Sequence, residues 1–332
     1  MNRFGATILD ADGLVLTPEE CAFFRDANPF GFIVFARNID TPDQLRKLCD
    51  QMRDAVGRDA PITIDQEGGR VQRMRAPYWA EWLPPLDFVA AAGAQAEQAM
   101  YLRYRLIAAE LRAVGVDSNC APMVDLAGDQ THDFLRNRCY GTEPAQVAAL
   151  GRAVSDGLLA GGVLPVLKHI PGHGRATLDS HFDLPHVQAD LGALKAHDFA
   201  PFAALADVPM GMTAHLVYDA LDDRPATLSP TVMNVIRNDI GFDNLIMTDD
   251  ISMKALDGSL EDIATGALAA GCDVILHCNA PLADRRRVAE AAGEMSDTAQ
   301  RRAEHALACR KTPDDIDIDA TRTQLETLLN QA

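Results

Sequence analysis

Eight short apolar, β-rich runs recur along the chain, at residues 5–9, 31–35, 61–65, 118–123, 163–168, 209–215, 244–249 and 273–277. They read as strands buried on both faces, because they are nearly continuous in apolar residues instead of alternating with polar ones. Helical segments separate most of them. In residues 41–56, Thr41, Pro42 and Gln44 have the make-up of a capping-box start, and Leu45, Leu48, Met52 and Val56 share one face. Residues 144–160 repeat the pattern with Val147, Leu150, Val154 and Leu158, and residues 260–270 with Leu260, Ile263, Ala267 and Leu268. Eight strands alternating with helices is the number at which a parallel sheet can close on itself. The pattern predicts an α/β fold, a single (β/α)8 TIM-type barrel over residues 1–332. A C-terminal helical extension is expected at about 312–332, with a helix over 321–330. A doubly wound open sheet is the structural alternative.

Composition narrows the function classes. The 332 residues are 48% hydrophobic and 23% charged, as in an ordinary globular protein with a large core. The net charge of −18 argues against a groove that tracks phosphates, so no nucleic-acid partner is expected. No stretch approaches the ~18 apolar residues of a spanning helix, so no membrane partner is expected either. The first residues carry Asp10 and Asp12 before any long apolar run develops, which is unlike a secretory signal. Seven scattered cysteines without C-x-x-C spacing read as reduced packing residues. Together these features predict a cytoplasmic location.

In a barrel the chemistry collects at the C-terminal ends of the strands. Four such ends carry titratable groups: Asp65-Gln66-Glu67-Gly68-Gly69-Arg70, Lys168-His169, Thr213-Ala214-His215 and Thr248-Asp249-Asp250. Singly each has a structural reading. Asp65 and Glu67 could cap a helix or pair with Arg70 and Arg73, and Arg73 and Arg138 could be surface side chains. Gly68-Gly69 is too short for a phosphate loop and reads as a tight turn. Gathered on one rim, however, carboxylates, an ammonium group, imidazoles and guanidinium groups suit a site that grips sugar hydroxyls and stabilises a cationic transition state. Asp249 and Asp250 must diverge, so only one can look into the mouth while the other caps a helix or is held by a polar neighbour.

The densest stretch is Lys168-His169-Ile170-Pro171-Gly172-His173-Gly174, followed by Asp179-Ser180-His181. Its spacing is not that of a zinc motif, so neither a metal nor a cofactor is expected. Asp179 and His181 point the same way if extended, which suits a general acid/base dyad, although a loop Asp and His facing water have the same spacing. Gly172 and Gly174 are expected to give the loop hinge-like freedom.

These motifs, with Ile64 to Arg73 and Thr248-Asp249-Asp250-Ile251-Ser252-Met253, resemble glycoside hydrolase family 3, and within it the bacterial cytoplasmic β-N-acetylglucosaminidases of peptidoglycan recycling. The resemblance spans nearly the whole chain in matching order. It implies a retaining exo-β-N-acetylglucosaminidase. Asp249 would be the nucleophile, His181 the proton donor and acceptor, and Asp179 its partner. Asp65, Arg73, Arg138, Lys168 and His169 would bind the terminal sugar. The substrate implied is a muropeptide, a small soluble fragment in which N-acetylglucosamine is joined to 1,6-anhydro-N-acetylmuramic acid, and the enzyme would act as a monomer. Two departures are visible. The family's Arg-Ser-Phe is Arg138-Cys139-Tyr140 here, with Arg136 as a second arginine nearby, and the loop's usual Phe is Ile170. The rival readings are a β-glucosidase or β-xylosidase of the same family and a non-catalytic sugar-binding barrel.

Overall fold

A computed structural model describes residues 3–178 and 183–330. We number the barrel strands β1 (Gly5–Leu9), β2 (Pro29–Val34), β3 (Ile62–Ile64), β4 (Ser118–Asn119), β5 (Leu164–Ile170), β6 (Met210–Thr213), β7 (Leu245–Met247) and β8 (Ile275–His277). Each falls within or beside one of the eight predicted runs. Every hydrogen-bonded pair among them is parallel, in the spatial order β7-β6-β5-β4-β3-β2-β1-β8. A parallel bridge between Met247 and Val274 joins the two ends. Thr248 reinforces that seam, its N–H donating to Val274 O at 3.0 Å and its Oγ1 accepting from Leu276 N at 2.9 Å. The sheet is thus a closed (β/α)8 barrel and not a doubly wound open sheet, and Thr248 stitches the seam beside Asp249.

Local chemistry explains the helices of the wall. Helix α1 (Pro18–Ala27) opens with a full capping box between Thr17 and Glu20 and with proline in its first turn. Helix α2 (Pro42–Val56) is only half capped. Thr41 Oγ1 accepts from Gln44 N at 3.2 Å, but the Gln44 side chain turns away, accepting from Asp40 N and donating to Leu14 O at 2.7 Å. The expected capping box is therefore replaced by a tether to the β1–α1 loop. Leu45, Leu48 and Met52 are fully buried from α2, each contributing roughly 1.5–3 kcal/mol of hydrophobic stabilisation. Helix α3 (Ala96–Ala113) packs on α4 (Pro144–Ala160) between β3 and β5. Helices α5 (Leu260–Ala270), α6 (Leu282–Ala292) and α7 (Asp297–Ala308) complete the wall around β8. A last helix, α8 (Ile318–Asn330), begins three residues earlier than expected and lies on α3, with Leu325 buried.

Candidate active site

The β3 end turns into a hairpin, Gln66–Gly68 against Val71–Gln72, and this hairpin aims Arg73 back at the barrel mouth. Gly68 and Gly69 make the predicted tight turn at φ of 117° and 57°, where a side chain would be strained. A Cβ on Gly68 would also meet Arg103 Nη2 and Leu83 O. Gln66 is fully buried and locks the hairpin, its Oε1 accepting from Arg73 N at 2.9 Å and Met74 N at 3.1 Å.

Around this hairpin stands a lattice of charges. Asp65 accepts from Lys168 Nζ at 2.9 Å and Arg73 Nη2 at 3.1 Å. Lys168 Nζ also lies 2.6 Å from Glu67 Oε1. Arg138 grips Glu67 through both ends of its fork, Nε to Oε2 at 2.9 Å and Nη2 to Oε1 at 2.8 Å. Glu67 thus pairs with neither Arg70 nor Arg73, whereas Asp65 does pair with Arg73; neither acid caps a helix, and their other partners come from β5 and the loop before α4. Arg138 is buried, and Arg136 points away, donating to Gly128 O. Burial alone would raise both acids, but Lys168 and Arg73 hold Asp65 far below the usual carboxylate range, and Arg138 and Lys168 hold Glu67 at about 2. The two carboxylates in turn raise Lys168 and Arg138 above their ordinary values despite burial. The lattice is ionised at neutral pH, three cations around two anions.

A second pairing orients His169, next to Lys168 across a cis peptide bond. Asp125, fully buried, lies 2.7 Å from His169 Nδ1 and also accepts from the backbone N–H groups of His169 and His173, at 3.2 and 2.5 Å. With Nδ1 committed, His169 has Nε2 left for the cavity it lines. His173 packs edge-on to His169 at 5.6 Å, and burial with His169 beside it pushes its imidazole down to about 4.

The glycines that follow serve close approach instead of a hinge. A Cβ on Gly174 would lie 2.1 Å from Leu126 O, and one on Gly172, at φ 143°, would lie 3.0 Å from Asp198 O. Tyr218 Oη further pins Gly172 O at 2.5 Å. Asp179 and His181 lie outside the described residues.

Asp249 follows β7 and is half-buried on the cavity wall. Its Oδ1 accepts from Asp250 N at 2.8 Å. Both acids border the cavity, but Asp250 has its carboxylate engaged elsewhere, with Ser252 Oγ at 2.8 Å, Ser252 N at 3.0 Å and Cys278 Sγ at 3.1 Å. The expected divergence is realised through polar neighbours and not through a helix cap.

One cavity of about 310 Å³ brings together Asp65, Arg73, Arg138, Lys168, His169 and Asp249. Ile33, Phe35, Val71, Met212, Met253 and Leu276 give it an apolar lining between the charges. That volume is at the low end of the roughly 300–1,000 Å³ of small-molecule pockets, matching one sugar ring more closely than a chain of them. The arrangement offers fixed donors and acceptors for hydroxyl groups and a half-exposed carboxylate whose second oxygen, among the described residues, accepts no backbone hydrogen bond. Two participants stand outside the expected site residues, the anchors Glu67 and Asp125, and Asp125 carries no motif signal. Glu67 stands two residues after Asp65 in the D-Q-E-G-G-R run, and that proximity is the one hint the sequence holds.

The family model for the glycosyl hydrolase family 3 N-terminal domain matches residues 19–307. The chain belongs to glycosyl hydrolase family 3. It is 37% identical over 279 residues to a beta-hexosaminidase of Pseudomonas aeruginosa, covering 83% of this chain and 82% of that one. Among solved structures it resembles NagZ from Neisseria gonorrhoeae, with a TM-score of 0.83 and 29% identity over 99% of this chain and 96% of that one. It also resembles a family 3 beta-N-acetylglucosaminidase from Paenibacillus, with a TM-score of 0.86 and 28% identity over 97% of this chain. The Paenibacillus protein is longer, and the chain spans 66% of it.

Proposed function

We propose that this chain is a retaining exo-β-N-acetylglucosaminidase that removes terminal N-acetylglucosamine from soluble peptidoglycan fragments. The observation that carries the reading is Asp249 itself: a half-buried carboxylate at a barrel strand end, one oxygen steered by a backbone N–H, set in the wall of a one-sugar cavity lined by Asp65, Arg73, Arg138, Lys168 and His169. The names of its relatives support hexosaminidase over glucosidase or xylosidase activity. The intact set of charged groups supports catalysis over mere sugar binding.

In the proposed cycle Asp249 attacks the anomeric carbon as His181, paired with Asp179, protonates the departing oxygen. The same imidazole then takes a proton from water, which displaces Asp249 and restores the β-configuration. Asp65, with its oxygens fixed by Lys168 and Arg73, accepts hydrogen bonds from sugar hydroxyls. Arg73, Arg138, Lys168 and His169 Nε2 donate to the ring substituents, the 2-acetamido group among them. A pocket walled on several sides by these groups favours a terminal sugar over an internal one.

The proposal includes a cytoplasmic enzyme working as a single chain, with 1–332 as one catalytic domain. Seven free cysteines support a reducing compartment, and no described helix is long and apolar enough to cross a membrane. Two experiments test the reading. A 2-acetamido-2-deoxy-5-fluoro glycosyl fluoride should label Asp249, and a label on Asp250 would overturn the nucleophile. Anhydro-muropeptides should release free N-acetylglucosamine by mass spectrometry, and internal cleavage without it would overturn exo-action.

A further inference from the structure

His215 lies two residues beyond β6, fully buried, and the cycle above does not use it. Its Nε2 is 3.1 Å from the carbonyl oxygen of Asp250 and its Nδ1 is 2.7 Å from Thr227 Oγ1. A carbonyl can only accept, so Nε2 must carry the hydrogen. Burial pushes this imidazole below its ordinary value, against the pull of Asp249, so at neutral pH it is uncharged and Nδ1 is an acceptor. The Thr227 hydroxyl therefore donates to Nδ1. Its oxygen is then free to accept from Thr213 Oγ1, 2.8 Å away. A chain of donors runs from Thr213 through Thr227 and His215 to the backbone of Asp250.

Asp250 is consequently clamped at three points. His215 holds its carbonyl, Ser252 and Cys278 hold its carboxylate, and its own N–H holds Asp249 Oδ1. Rotation of this residue would swing the N–H off the Asp249 carboxylate and move the other oxygen from its line of attack. Three strands converge on it: β6 supplies the imidazole, β7 the two acids and β8 the thiol. We propose that His215 is a positioning residue, which fixes the carboxylate of Asp249 by donating through Nε2 to the Asp250 carbonyl while Thr227 pairs its Nδ1 and holds the ring in place. The inference rests on the reading of Asp249 as nucleophile.

The test follows labelling by the 5-fluoro glycosyl fluoride in the full chain, with the inhibition constant for free N-acetylglucosamine measured in parallel. In wild type the label should fall on Asp249. His215→Leu removes the donor and should slow labelling about 100-fold, the scale of a displacement of order 1 Å, while the inhibition constant stays within about threefold. His215→Gln can still present an amide N–H to the carbonyl and should recover labelling to within roughly tenfold of wild type. Thr227→Val leaves the buried Nδ1 without its donor and the ring less firmly held, and should slow labelling about tenfold, which keeps the idea testable if His215→Leu does not fold. Unchanged labelling in His215→Leu or, where that variant does not fold, in Thr227→Val would overturn the proposal. So would equal losses in Leu and Gln, or an inhibition constant rising in step with the loss. A wild-type label on a different residue would overturn the nucleophile reading, and this inference with it; that failure is distinguishable because it appears in the unaltered chain.

Discussion

Glu67→Gln separates the cost of the charge lattice from its shape. The substitution keeps the side chain's size and one acceptor oxygen but leaves Arg138 and Lys168 facing a neutral group in a site that is almost fully enclosed. A carboxyl held at about 2 instead of its ordinary 4.5 contributes roughly 3 kcal/mol of stability at neutral pH, since each pH unit between the two values is worth about 1.4 kcal/mol. That agrees with the ~3–5 kcal/mol lost when one partner of a buried ion pair is removed. Because the folded value is depressed, this stability is complete above the unfolded value of 4.5 and disappears as pH falls toward 2. Urea unfolding of wild type and variant should therefore differ by roughly 3 kcal/mol at pH 7, and by roughly 2 kcal/mol near pH 3.5. The variant should also lose affinity for N-acetylglucosamine, because Lys168 and Arg138 no longer share a fixed anchor. A difference below about 1 kcal/mol at pH 7, or one that widens on acidification, would refute the assignment of Glu67 as the anchor of the lattice.

Further outcomes follow from the same geometry. Asp125→Asn removes the charged acceptor that fixes His169, and should lower kcat/KM by about 10–100-fold, the worth of one hydrogen bond to an ionised group; an unchanged kcat/KM would show that His169 orients itself. His181→Ala should slow substrates with poor leaving groups far more than activated aryl glycosides, and equal losses on both would assign it to binding alone. Gly174→Ala forces a methyl group against Leu126 O and should destabilise the fold by roughly 3 kcal/mol in urea unfolding, whereas a variant as stable as wild type with altered turnover would restore the hinge reading.

The barrel was legible because its signals are local. Each strand is a short apolar run, and β5 alone illustrates why the reading works: all seven of its residues are buried, so both faces of the strand had to be apolar or internally paired. The starts of α4 and α5 coincide with prediction for similar reasons, a proline in the first turn of one and Ser259 capping the other. Gln44 was misread because the same amide can satisfy either its own helix or a neighbouring loop. Only the position of the β1–α1 loop, 30 residues earlier, decides between them.

The site was legible in its chemistry but not in its wiring. Asp65, Lys168 and Asp249 stand at strand ends, and barrel geometry sends such residues to one mouth whatever their sequence separation. Which carboxylate pairs with which cation is a different kind of question. Arg138 meets Glu67 across 71 residues, His169 meets Asp125 across 44, and Lys168 meets Asp65 across 103. Charge type alone permits other pairings, including the adjacent Arg70 for Glu67. The choice is made by the hairpin after β3, which turns Glu67 inward and Arg73 back over Asp65. That turn depends on two glycines at positive φ and on one buried glutamine, residues that carry no charge themselves. The same logic applies to the Gly172 and Gly174 pair. A glycine in a sequence signals either freedom or lack of room, and only the atom opposite it tells which: here a carbonyl of Leu126 and a carbonyl of Asp198 occupy the space a side chain would need.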